Sequence, residues 1–159
     1  MADFKEIYNT YAPQIYRVCI GYTNDADHAK DIVQETFISV WKNLYKFREQ
    51  SQISTWIFRI ATNNCLRAIE KAKRMPGSEL PFNLPDTVSE SPEEKLRFLY
   101  QCIAELEETE RIIISLVLED LPQAEIAAIV GINHGNLRVK VHRIKEKLAQ
   151  KFKQNGQFI

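Results

Sequence analysis

The chain is poor in the residues that build metal centres and disulfide scaffolds. Its 159 residues include three cysteines, two methionines, two tryptophans and five glycines. Cys19, Cys65 and Cys102 are odd in number and widely spaced, form no CxxC pair, and each adjoins apolar residues of a helical pattern. His28, His134 and His142 do not fall at ligand spacing with them, so core thiols in a reducing compartment are expected, with no metal or cofactor. No apolar run approaches the ~20 residues of a membrane span, and no basic-then-apolar leader opens the sequence, so the expected location is the cytoplasm. No nucleophile–base pair or phosphate-cradling glycine loop is evident, and no catalysis is expected.

Net charge is also lacking: 21 basic residues balance 21 acidic ones. That zero hides segregation. Residues 1–50 carry −1, 51–75 carry +4, 76–120 carry −8 and 121–159 carry +5. Two basic segments around an acidic one are not neutral to a polyanion. Charge alone leaves solvated helix faces equally open as an explanation. The acidic segment is expected to fold back on the basic ones in the free protein and mask them.

What is present is helical periodicity. Phe4, Ile7, Tyr8, Tyr11, Ile15, Val18, Cys19 and Tyr22 recur at spacings of three and four, with Pro13 expected to end one turn and start the next. A second stripe runs through Ala29, Ile32, Val33, Thr36, Phe37, Val40, Trp41 and Leu44, with Asp25 or Asp27 placed to cap it. Residues 46–54 read as a loop. Ser54 suits an N-cap for a helix holding Trp56, Ile57, Ile60, Ala61 and Ala68, with Trp56 in the core. Pro76, Pro81, Pro85 and Pro92 then forbid a continuous helix and mark a linker. Beyond it, Leu96, Leu99, Ile103 and Leu106, then Ile112, Ile113, Leu116 and Val117, predict two further amphipathic helices. The fold class is all-α: two small helical domains, residues 1–75 and 93–159, joined by a Pro-rich acidic linker over 76–92.

The C-terminal domain reads as a helix-turn-helix. Pro122 suits a first helical turn, and Ile126, Ala127 and Val130 point inward. Gly131 supplies the positive φ of a tight turn, Ile132 plugs it and Asn133 caps the next helix. The buried stripe of that second helix is Leu137, Val141, Ile144 and Leu148. At 100° per residue this turns Gly135, Val139, His142 and Glu146 outward, flanked by Asn136, Arg138 and Arg143. Such a face suits the major groove: Gly135 for close backbone approach, Arg138 and Arg143 for phosphate or guanine. Lys145, Lys147, Lys151 and Lys153 extend the basic character and would add salt-dependent affinity.

The run Asp31-Ile32-Val33-Gln34-Glu35-Thr36-Phe37, followed by Val40-Trp41, resembles the signature of the second conserved region of bacterial sigma factors. Phe47–Asn63, with its Thr55-Trp56-Ile57-Phe58-Arg59-Ile60-Ala61 core, resembles the next stretch of the same family, and Tyr11-Ala12-Pro13 its opening helix. Leu121–Leu148 is similar to the fourth conserved region. Two motif sets in this order resemble the extracytoplasmic-function group of the sigma-70 family. The sequence departs from the family at Glu49, Ile53 and Val139, and Val139 offers methyl surface where the family often has a hydrogen-bonding serine.

The resemblance implies a transcription-initiation subunit that directs RNA polymerase core to promoter DNA and helps to open it. Asp31, Gln34 and Glu35 would dock on the clamp helices of the largest polymerase subunit. Arg48, Ser51, Arg59, Asn63 and Arg67 would bind the minus-ten element, where a base leaves the stack. Gly135, Asn136, Arg138, Val139, His142 and Arg143 would read the minus-thirty-five element beside the polymerase beta flap. The acidic linker would thread a polymerase channel, and an anti-sigma factor is an implied partner. Two rivals stay open: a stand-alone helix-turn-helix regulator, against which Asp31–Trp41 argues, and a helical adaptor, against which the C-terminal basic face argues.

Overall fold

The computed structural model describes residues 3–47, 52–73 and 92–155. Among these are seven α-helices: α1 (Phe4–Thr23), α2 (Ala26–Asn43), α3 (Ile53–Lys73), α4 (Pro92–Ala104), α5 (Glu108–Val117), α6 (Gln123–Val130) and α7 (His134–Asn155), with a 3₁₀ turn at Leu44–Lys46 after α2. No strand occurs among the described residues, in agreement with the all-α expectation. The linker expected over 76–92 lies outside them except for Pro92, which opens α4 as the fixed φ of proline allows.

Helices α1, α2 and α3 pack on one another. Ile15, Val18, Cys19, Ile32, Val40, Ile57, Phe58 and Ala61 fill their core. Asp25 is the N-cap of α2, its carboxylate accepting from the backbone N–H groups of Asp27 and His28. Three expectations need correction. Pro13 does not divide α1, which runs unbroken with Pro13 inside it. An interior proline costs ~3 kcal/mol, so packing against α2, α3 and α5 holds the helix together. Ser54 is not an N-cap, because α3 starts one residue earlier, at Ile53. Trp41 continues the apolar period of α2 but is 65% exposed, because α1 flanks that end of the stripe without covering it. Trp56 is half-buried, its ring 5.2 Å from that of Phe47.

The C-terminal helices form a second core around Ile103, Ile113, Leu116, Ile126, Leu137, Val141 and Ile144. Gly131 ends α6 at φ 76°, where an L side chain is strained. Asn133 caps α7, its Oδ1 accepting from Gly135 N at 2.7 Å and Asn136 N at 3.4 Å. Pro122 sits at the N-cap of α6, one position before the first turn, and Ile129 is buried more fully than Val130. The two groups of helices touch along a seam where α5 lies on α1 and α6 on α3.

Candidate nucleic-acid and polymerase interfaces

The stripe of α7 is buried as its periodicity predicts: Leu137, Val141, Ile144 and Leu148 are all inside. The outward face follows. Gly135, Asn136, Arg138, Val139, His142 and Arg143 are all exposed and lie together on the N-terminal half of α7. His142 Nε2 stands 3.1 Å from Glu146 Oε1, so this face carries a carboxylate as well as two arginines. A Cβ on Gly135 would come 3.1 Å from Asn133 Oδ1, so this glycine also makes room for the cap that begins the helix. The lysines farther along behave differently from one another. Lys145 is exposed, whereas Lys147 pairs with Glu110 at 2.8 Å and Lys151 with Glu105. These acids of the −8 segment therefore meet the C-terminal half of α7 and bind it to α5 and to the turn after α4, leaving the N-terminal half of α7 clear.

On α3, Arg59, Asn63 and Arg67 recur every four residues and share one exposed face. Arg48 and Ser51 lie outside the described residues. Arg67 donates to the side-chain oxygen of Asn64. Asn64 Nδ2 in turn donates to Thr36 Oγ1 at 3.2 Å, and Thr36 Oγ1 to Ile32 O at 2.7 Å. A chain of hydrogen bonds, buried from Asn64 inward, thus links the guanidinium to the backbone of α2 and fixes where it points. Sequence reasoning missed Asn64, whose position beside Asn63 carries no periodic signal for a polar core residue. Arg59 donates from Nε to Ala128 O at 3.0 Å, a contact with α6.

On α2, Asp31, Gln34 and Glu35 are exposed on the face away from the core. Beside them, α1 and α2 enclose an open groove of about 900 Å³. Phe4, Tyr8, Phe37, Ile38 and Trp41 make it apolar, and Gln34 stands on its edge. The Trp41 ring meets Phe4 edge-on at 5.0 Å. The apolar periodicity had concealed this groove, because an exposed tryptophan and a core tryptophan occupy the same register.

Two family models match the chain: Sigma-70 region 2 over residues 7–75 and Sigma-70, region 4 over residues 97–148. The chain belongs to the sigma-70 family of transcription-initiation subunits, which direct RNA polymerase to promoters, and to its extracytoplasmic-function group. Among its relatives are the extracytoplasmic-function sigma factors SigW of Bacillus subtilis, 28% identical over 94% of this chain and 89% of that protein, and RpoE of Cereibacter sphaeroides, 28% identical over 94% and 86%. The fold matches the sigma factor RpoE of Bartonella quintana in complex with the anti-sigma factor NepR at a TM-score of 0.76, with 21% identity over 96% of this chain and 98% of that one. It also matches CnrH in complex with the cytosolic domain of CnrY at a TM-score of 0.75, with 18% identity over 95% and 88%. Both regions in this one chain, together with a sigma factor relative matched over 89% of its length, set aside the stand-alone regulator.

Proposed function

We propose that the labour of promoter recognition is divided between α3 and α7, within a module of residues 1–75, a tether over 76–92 and a module of residues 93–159. The α3 module holds the polymerase core through Asp31, Gln34 and Glu35 and engages the minus-ten element through Arg59, Asn63 and Arg67, with Arg48 and Ser51 in the preceding loop. Asn63 reads an unstacked base through its amide, and the arginines hold the strand's phosphates. The α7 module enters the major groove at minus-thirty-five, Arg138 and Arg143 meeting guanine or phosphate and Val139 meeting thymine methyls. It sits beside the polymerase beta flap.

The observation that carries this reading is the pair of exposed faces. Each is cationic, and each is backed by a buried apolar stripe that fixes its orientation. The chain acts without catalysis of its own: bond formation belongs to the polymerase. It works in the cytoplasm, and among the described residues no helix is long and apolar enough to cross a membrane. An anti-sigma factor is a partner, as NepR is for the RpoE of Bartonella quintana, which has a similar fold.

Gel-filtration of the purified chain with core polymerase tests the α2 assignment. Asp31→Ala, Gln34→Ala and Glu35→Ala together should abolish co-elution while leaving the melting temperature unchanged. Co-elution equal to that of the unaltered chain would refute the assignment.

A further inference from the structure

Glu146 is the only acid on α7, a 22-residue helix that carries seven lysines and arginines. The phase of the helix places it badly for affinity. With Leu137, Val141, Ile144 and Leu148 inside, Gly135, Val139 and Glu146 point almost directly away from that stripe at 100° per residue. A carboxylate on a face turned to a polyanion repels it, so its presence there needs a reason. Direct reading of a base is not the reason. At 1.5 Å per residue Glu146 stands about 18 Å from the start of α7, whereas a recognition helix meets base edges with its N-terminal residues.

The partner of the carboxylate supplies the reason. Glu146 Oε1 is 3.1 Å from His142 Nε2, one turn back. Arg143 also lies within a turn, yet among the described residues neither Arg138 nor Arg143 pairs with an acid. The acid is thus bonded to the one side chain of the face whose chemistry it can change. A guanidinium donates whatever its partner, but an imidazole can present either nitrogen as donor or as acceptor. An ionised carboxylate only accepts, so Nε2 carries the hydrogen and donates it. Nδ1 is then the nitrogen left for DNA, and in the neutral ring it carries a lone pair. In the major groove a lone pair selects what arginine cannot, the exocyclic amine of adenine or cytosine. Each base pair shows one such amine, so an acceptor tells adenine or cytosine from guanine or thymine on the strand it faces.

We propose that Glu146 is a positioning residue for the minus-thirty-five element, holding His142 Nε2 so that Nδ1 accepts from the amine of an adenine or cytosine. The face then reads in two modes. Arg138 and Arg143 donate to guanine or phosphate, and His142 accepts. In water the pair is weak, its side chains 74% and 63% exposed, and it strengthens where the duplex displaces solvent from both. This rests on the assignment of α7 to the minus-thirty-five element.

The test uses holoenzyme reconstituted from core polymerase and the full chain, at about pH 8.5 to favour the neutral ring. A promoter library randomised over the minus-thirty-five element is sequenced before and after capture by the holoenzyme. His142→Ala marks the base pair that His142 reads, through loss of a preference for adenine or cytosine there. Glu146→Gln keeps the shape of the side chain, but its amide either donates to Nε2 or accepts from it, so both tautomers are allowed. It should lower the preference at that same base pair about two- to fivefold, the range of an exposed ion pair, and leave the other positions as they were. In the His142→Ala background it should have no further effect on preference. These variants should keep the melting temperature of the unaltered chain, because both side chains are exposed.

A uniform gain in affinity with every preference unchanged would make Glu146 a charge and nothing more, and would overturn the proposal. So would a change of preference that persists in the His142→Ala background, or a His142→Ala variant that loses no preference. Arg138→Ala separates this inference from the reading beneath it. If Arg138→Ala relaxes the minus-thirty-five element while Glu146→Gln does not, the positioning role alone falls. If neither His142→Ala nor Arg138→Ala alters any preference there, the assignment of α7 falls with it.

Discussion

Cys19 on α1 and Cys65 on α3 place their sulfur atoms 3.7 Å apart in the centre of the N-terminal core, with neither exposed to solvent. The hydrogen bond between them, then burial, push the Cys19 thiol well above 9. Its protonated form is therefore the one the fold stabilises. That contribution is complete below the unfolded value and is lost as pH rises above about 9. Both thiols should resist iodoacetamide at pH 8 in the native protein and react at once in denaturant, as mass spectrometry would show. Rapid native labelling of Cys19 would contradict the packing.

The Asn64 bridge gives a sharper stability prediction. Asn64→Leu removes the donor to the buried Thr36 Oγ1, which keeps its own bond to Ile32 O, and the anchor of Arg67. Thr36 keeps one bond and Arg67 turns to water, so the loss is that of one net hydrogen bond, about 1 kcal/mol in urea unfolding. Single-strand affinity should fall as well, since the Arg67 guanidinium loses its orientation. A neutral effect on both would remove Asn64 from the site.

Trp41 should behave in the opposite way. Its ring is mostly in water, so Trp41→Ala should change the melting temperature little. If the groove beside Gln34 helps to hold the polymerase, the same substitution should weaken core association by ~2 kcal/mol or more, as buried aromatic anchors do. Surface plasmon resonance on immobilised core separates the two effects.

On α7 the lysines should divide as their partners do. Lys145→Ala should lower the salt slope of duplex binding by ~0.9, the value for one released counterion. Lys147→Ala should change that slope less and lower stability slightly, because Lys147 is bonded to Glu110.

Much of this was legible in the sequence because it follows from periodicity. The stripe Leu137, Val141, Ile144 and Leu148 dictates the exposed face of α7, and Gly131 and Asn133 mark its turn and cap. The α2 motif and the regularity of Arg59, Asn63 and Arg67 are similarly one-dimensional signals. What escaped is what depends on two distant segments meeting. Glu125 looks like an ordinary first-turn acid until α3 lies beside it, and Gly21 looks like a defect until Ser115 fills the space. Pro13 misled because a local rule was outweighed by packing on three helices.

The division of labour between α3 and α7 is tested most directly by run-off transcription over a promoter library, using core polymerase with the unaltered chain, Asn63→Ala or Arg138→Ala. Asn63→Ala should relax base preference within the minus-ten element alone, and Arg138→Ala within the minus-thirty-five element alone. Loss of preference at the opposite element in either variant, or unchanged preferences in both, would contradict the account.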